Sequence, residues 1–138
     1  MMGYMRRQLL AVCVAVLAAG CSSSSTHADS SVVTGFIEPC TGITPYHAPN
    51  PVPYPAGTVT ALRGTERLVP VGPGEQHVVL PTHITARQHV IQNQRYRLRL
   101  PPGRYVLTAD YDHGGRTFLD LNVSAGAQLH TNLPNLCK

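Results

Sequence analysis

The chain has 138 residues, with 11 Lys and Arg against 7 Asp and Glu, 12 glycines, 12 prolines and no tryptophan. Setting apart the first twenty residues, which hold Arg6, Arg7 and all three methionines, leaves nine cations against seven acids and lowers the formal charge from +4 to +2. No polybasic block remains, which excludes the electrostatic footprint of a nucleic-acid-binding protein, and the loss of every methionine removes the Met/His type of copper site.

The N-terminus carries Arg6 and Arg7, an apolar run from Leu9 to Ala19, and the small residues Ala18, Ala19 and Gly20 directly before Cys21. A spanning helix needs about 20 apolar residues, and this shorter run ends in the polar tract Ser22-Ser23-Ser24-Ser25-Thr26. The segment Leu17-Ala18-Ala19-Gly20-Cys21 resembles the lipobox of bacterial lipoproteins. The resemblance implies cleavage before Cys21, attachment of diacylglycerol and fatty acyl chains such as palmitate to Cys21, and a protein held by membrane lipid at the cell membrane or outer membrane, facing outside the cytoplasm. An ordinary secretory signal cut nearby is the alternative, and both the general secretory and the twin-arginine routes stay open.

Residues 1–20 thus read as a lipoprotein signal peptide, 21–31 as a lipidated cysteine and Ser-rich tether, and 32–138 as one domain with a Pro-rich insertion at 41–57. With Cys21 acylated, Cys40 and Cys137 are the two cysteines left. In an oxidising compartment they are expected to form a disulfide.

Val32 to Cys40 is β-branched and aromatic up to Pro39 and reads as a first strand. Residues 41–57 contain Pro45, Pro49, Pro51, Pro53 and Pro55. Proline at this density removes backbone donors, so the insertion is expected to be extended and superficial. Gly57 to Gly64 is a glycine-bounded second strand. Leu68–Val71 and His77–Leu80 flank Gly72-Pro73-Gly74 and read as a hairpin or an irregular excursion. His83–Val90 reads as a strand or a short helix, with its β-branched content favouring strand.

From Arg95 the alternation is sharp. Tyr96, Leu98 and Leu100 are interleaved with Arg95, Arg97 and Arg99, the pattern of a strand with one apolar face. Pro101-Pro102-Gly103 then turns the chain into Tyr105, Leu107, Ala109 and Tyr111, read as the second member of a hairpin. Asp112-His113-Gly114-Gly115 makes the next turn, Leu119, Leu121 and Val123 mark another strand, and Gln128–Leu133 a last one after Ser124-Ala125-Gly126. About seven short strands separated by turn signals predict an all-β chain folded as a single antiparallel β-sandwich.

The stretch Leu98-Arg99-Leu100-Pro101-Pro102-Gly103-Arg104-Tyr105-Val106-Leu107 resembles the hairpin of the carboxypeptidase-regulatory-like, prealbumin-like (transthyretin-like) sandwich family, and Leu119–Gly126 is similar to the strand and turn that close such domains. By that resemblance, Val33–Ile37 and Gly57–Ala61 form the opening pair, and the role is that of a non-catalytic module. One enzymatic branch of the family, the hydrolases of purine degradation, ends in Tyr-Arg-Gly-Ser. This chain ends Leu136-Cys137-Lys138.

Three constellations bear on chemistry. His77, His83 and His89 recur every six residues, but Pro81 interrupts the first pair and no His-x-His or His-x-x-x-His occurs, so neither metal nor cofactor is expected. Asp110, Asp112 and His113 could join a serine on paper, yet no Gly-x-Ser-x-Gly elbow exists, so no catalytic residues are expected. Two surfaces remain as candidate binding sites: the arginine face of Arg95, Arg97 and Arg99 with Arg104 past the turn, and the insertion residues Tyr46, His47 and Tyr54. Guanidinium forks suit carboxylate and phosphate groups, while aromatics among prolines offer stiff contacts. The expected function is therefore a membrane-anchored binding or structural module at the cell envelope, with an envelope protein or polysaccharide as partner and no nucleic acid; a small metal-handling lipoprotein or hydrolase is the alternative.

Overall fold

Residues 29–39 and 52–135 are described by the computed structural model. Residues 1–20, which read as a signal peptide, and Cys21, Cys40, Tyr46, His47 and Cys137 lie outside the described residues. Those described form nine strands and no helix: β1 (Ser31–Gly35), β2 (Gly57–Arg63), β3 (Arg67–Gly72), β4 (Glu75–Val79), β5 (Ile84–Val90), β6 (Tyr96–Leu100), β7 (Gly103–Tyr111), β8 (Arg116–Val123) and β9 (Gln128–His130). Seven of them build two sheets, in the orders β6-β1-β9 and β5-β2-β7-β8, while β3 and β4 pair only with each other. The expected all-β sandwich is present, with the hairpin as an addition to its body.

The alternation in β6 does what the pattern requires. Tyr96, Leu98 and Leu100 are buried, whereas Arg97 and Arg99 are exposed. They meet Val33 of β1 and, from the other sheet, Val59, Ala61, Tyr105, Leu107, Ala109 and Val123. Each large apolar side chain withdrawn from water in this way contributes about 1.5–3 kcal/mol. β7 departs from simple alternation, because Val106 and Thr108 are buried along with Tyr105, Leu107 and Ala109. It is a central strand, flanked by β2 and β8 over most of its length.

Three expectations about pairing are corrected. β6 and β7 do not form a hairpin: β6 pairs with β1 and β7 with β2 and β8. Pro101 and Pro102 cannot donate to a ladder, and they carry the chain from one sheet to the other, where the Tyr105 hydroxyl donates to Pro101 O at 2.8 Å. The opening pair is also absent, since β1 and β2 lie in different sheets. Finally, β1 and β9 run parallel, with Val32 opposite Gln128 and Thr34 opposite His130, so the sandwich is antiparallel except at this seam.

That seam depends on a glycine. A Cβ on Gly35 would lie 1.8 Å from Thr131 O, so only a residue without one lets the two chains come together. The buried Tyr96 hydroxyl donates to the same carbonyl. Burial pushes the pKa of that hydroxyl well above its ordinary value of 10.0, and the phenol stays neutral.

The registers define two ends of the sandwich. Ser31 sits opposite Leu100, Gly103 opposite Val123, and Gly126 N donates to Asp29 O at 3.0 Å. Gly64 N donates to Arg104 O at 2.9 Å at this same end, where the described chain begins. At the far end Gly57 lies between Val90 and Tyr111.

Candidate functional site

The far end is organised around Phe36, just beyond β1. Its backbone N–H donates to Asn132 Oδ1 at 3.0 Å. Tyr54 stacks on it with ring centroids 4.3 Å apart and planes at 17°. The Arg95 guanidinium sits 5.0 Å from the Phe36 centroid, a cation–π distance. Tyr54 is fixed in turn by Asn93, which accepts from Tyr54 N and donates to Tyr54 O, both at 2.9 Å. Asn93 adopts φ 62°, a left-handed conformation that asparagine tolerates better than most residues.

Of the predicted binding residues, the fold therefore joins Tyr54 to Arg95. Arg97 and Arg99 stand exposed on β6, at the outer edge of the three-stranded sheet. Arg104 is at the start of β7, around the turn at the opposite end. The result is a strip rather than a cluster. It runs along the sheet edge from the aromatic stack to the end where the chain enters. No carboxylate among the described residues pairs with any of the four, because the ion pairs there are His89 with Asp112 and Arg116 with Asp110. Residues 52–56, the described part of the proline-rich insertion, form no regular structure, and Pro53 to Ala56 are half-buried rather than superficial.

A groove of about 820 Å³ lies at the far end, with Val52, Pro53, Pro55, Tyr111 and Phe118 as apolar walls and His113 and Arg116 as polar ones. Pro39 and Asn135 also line it. The Tyr111 hydroxyl donates to Pro134 O at 3.3 Å. Burial chiefly raises its pKa, with the charge of Glu38 adding to the rise. Arg116 is held charged by its hydrogen bond and ion pair with Asp110.

The carboxylates of the paper triad are both engaged. Asp110 accepts from Arg116, and Asp112 accepts from His89 Nε2 at 3.1 Å through either oxygen. The Ser31 hydroxyl donates to the Ser124 backbone carbonyl, at the opposite end of the sandwich from His113. Among the described residues no three His, Cys, Asp or Glu side chains come together in a way that could hold a metal ion; His77, His83 and His89 fall on the hairpin, before β5 and within β5, respectively.

Two features carry no signal that residue patterns could have revealed in advance. Phe36 reads only as part of a first strand, and its role as hub depends on Asn93 and Tyr54, which are distant in sequence. Leu68–Val71 and His77–Leu80 read as a hairpin or an irregular excursion, and nothing in their pattern tells that every residue of β3 and β4 is exposed. No family model, characterised protein or solved structure matches the chain in comparisons with each.

Proposed function

We propose that the chain is a membrane-anchored extracytoplasmic lipoprotein whose sandwich acts as a non-catalytic binding or structural module at the cell envelope. The observation that carries this reading is Leu17-Ala18-Ala19-Gly20-Cys21 followed by a serine tract. Its consequence for the fold is geometric. Cys21 is ten residues from Ser31, where β1 begins, and the tether therefore delivers the sandwich by the end that holds Ser31, Leu100 and Gly103.

The partner-facing surface in this reading is the strip of Arg97 and Arg99 on the edge strand, continued by Arg95 over Phe36 and Tyr54. Its charge suits the carboxylate or phosphate groups of an envelope polysaccharide or an acidic envelope protein. The resemblance to carboxypeptidase-regulatory-like domains agrees with a supporting role, and it rests on the segment that links β6 to β7.

The pairing of β1 with β9 supports the Cys40–Cys137 disulfide. Val32 faces Gln128, and Ile37 faces Leu133 in a parallel bridge, a constant offset of 96; Glu38 N donates to Leu133 O at 2.8 Å. In sequence, Cys40 follows Ile37 by three residues and Cys137 follows Leu133 by four. Closing a loop of ~100 residues stabilises a fold by at most about 4.7 kcal/mol in the chain-entropy account.

One mass-spectrometric experiment on protein extracted from membranes tests both parts. The expected result is an N-terminal Cys21 carrying acyl mass, with Cys40 and Cys137 alkylated only after reduction, and release of the Cys21→Ser chain from the membrane fraction. An unmodified Cys21 in the recovered protein overturns the anchor, and two alkylatable thiols without reduction overturn the bridge.

A further inference from the structure

We propose that the β3–β4 hairpin is a second membrane contact, lying in the lipid–water interface of the bilayer that receives the Cys21 anchor. The inference rests on the anchored reading and adds to it a surface that the anchor does not require. It begins from an anomaly of burial. All eleven residues of the two strands are exposed, among them Leu68 at 61% and Val71 at 51%. An isolated two-stranded ribbon is at best marginally stable in water, and large exposed apolar patches mark contact surfaces.

Apolar side chains stand on both faces of the ribbon. Leu68 pairs with Val78 on one, while Arg67 with Val79 and Val69 with His77 lie on the other. A flat protein partner covers one face of such a ribbon and leaves the second in water. An interface of headgroups and acyl chains surrounds it. Glu75 and Gln76 next to the Gly72-Pro73-Gly74 turn keep the tip at the polar level, so the ribbon lies along the interface and does not pierce it.

Position selects the same occupant. The hairpin leaves the body after Gly64, whose N–H bonds to Arg104 O, and rejoins it before Ile84, where Arg63 N bonds to His83 O. This is the end at which Asp29 and Ser31 enter. The ten residues from Cys21 to Ser31 reach at most about 35 Å when fully extended, so a lipidated Cys21 keeps this end, and the hairpin on it, near the membrane. Arg63, Arg67 and Arg104 are exposed around the hairpin's base. Their stems can lie along apolar surface while the guanidinium groups meet lipid phosphates.

The absence of tryptophan from the chain makes the test direct. Val71→Trp and, as the control at the far end, Ile91→Trp (Ile91 is 65% exposed) are each introduced into the full mature lipoprotein. Each variant is reconstituted in phosphatidylglycerol-containing vesicles whose acyl chains carry bromine. Emission of Val71→Trp is expected to shift to the blue and to be quenched by the bromines, with Ile91→Trp retaining its water-like emission. Equal quenching of the two, or none at Val71→Trp, overturns the proposal. So does a blue shift of Val71→Trp that grows with protein concentration in the absence of lipid, the signature of a second copy as occupant. The same measurement on the Cys21→Ser chain separates the two readings. Acyl mass at Cys21 decides the anchor, and quenching at Val71→Trp decides the hairpin.

Discussion

β6 and β3 are short strands of similar apolar content, and their fates are opposite. In Tyr96-Arg97-Leu98-Arg99-Leu100 the three apolar side chains are buried and the two arginines exposed, whereas in Arg67-Leu68-Val69-Pro70-Val71-Gly72 nothing is buried. β6 lies beside β1 and under the second sheet; β3 has only β4 beside it. Strand propensity is shared by both regions, and burial comes from a neighbour that one of them lacks within the described chain. Propensity for the pleated form therefore says little about stability until the opposing face is identified.

Mutations can sharpen this contrast, beginning with the largest effect. Leu107→Ala, in the centre of the core, is expected to cost about 2–5 kcal/mol, while Leu68→Ala on the hairpin should stay within about 0.5 kcal/mol. Urea unfolding of both variants measures the difference, and a comparable loss from Leu68→Ala would show that the hairpin is packed in solution. Next is Gly35→Ala, which forces Thr131 away from β1 and should cost about 1–3 kcal/mol as an overpacked site. A midpoint equal to that of the parent chain would mean that the β1–β9 seam yields freely.

Tyr96→Phe is the smaller change in shape. It leaves the Thr131 carbonyl without its phenol donor and should cost about 1–3 kcal/mol near neutral pH. Its pH dependence carries more information. The folded phenol has a raised pKa, so its contribution is complete below the ordinary tyrosine value of 10.0. Above that value the unfolded chain ionises first, and stability falls by about 1.4 kcal/mol per pH unit for one such group. The Tyr96→Phe chain should lose that share of the alkaline slope, with Tyr111, also raised by burial, supplying part of what remains. An unchanged slope in unfolding experiments above pH 10.0 would remove Tyr96 as its source.

Much of the fold is legible residue by residue. Alternation from Arg95 to Leu100 locates β6 and its buried face, glycines bracket β2, Gly72-Pro73-Gly74 separates β3 from β4, and Asp112-His113-Gly114-Gly115 joins β7 to β8. The candidate site is legible in part, since Tyr54 and Arg95 do meet, but through Phe36 and Asn93. The misreading of Pro101-Pro102-Gly103 has a definite cause. A proline-glycine turn announces a change of direction, and whether the next strand returns beside the last or crosses to another sheet depends on which edges are already taken.

The chain by itself determined that short strands alternate with turns, which of their side chains prefer an apolar face, and the Leu17–Cys21 segment that resembles a lipobox, because these depend on neighbours within a few residues. The tertiary structure alone decided the parallel seam of β1 with β9, the assignment of β6 and β7 to different sheets, and the exposure of β3 and β4 at the end where the chain enters. Each of these is a choice among distant partners that satisfy the same local pattern equally well, and only simultaneous packing of the whole core distinguishes them.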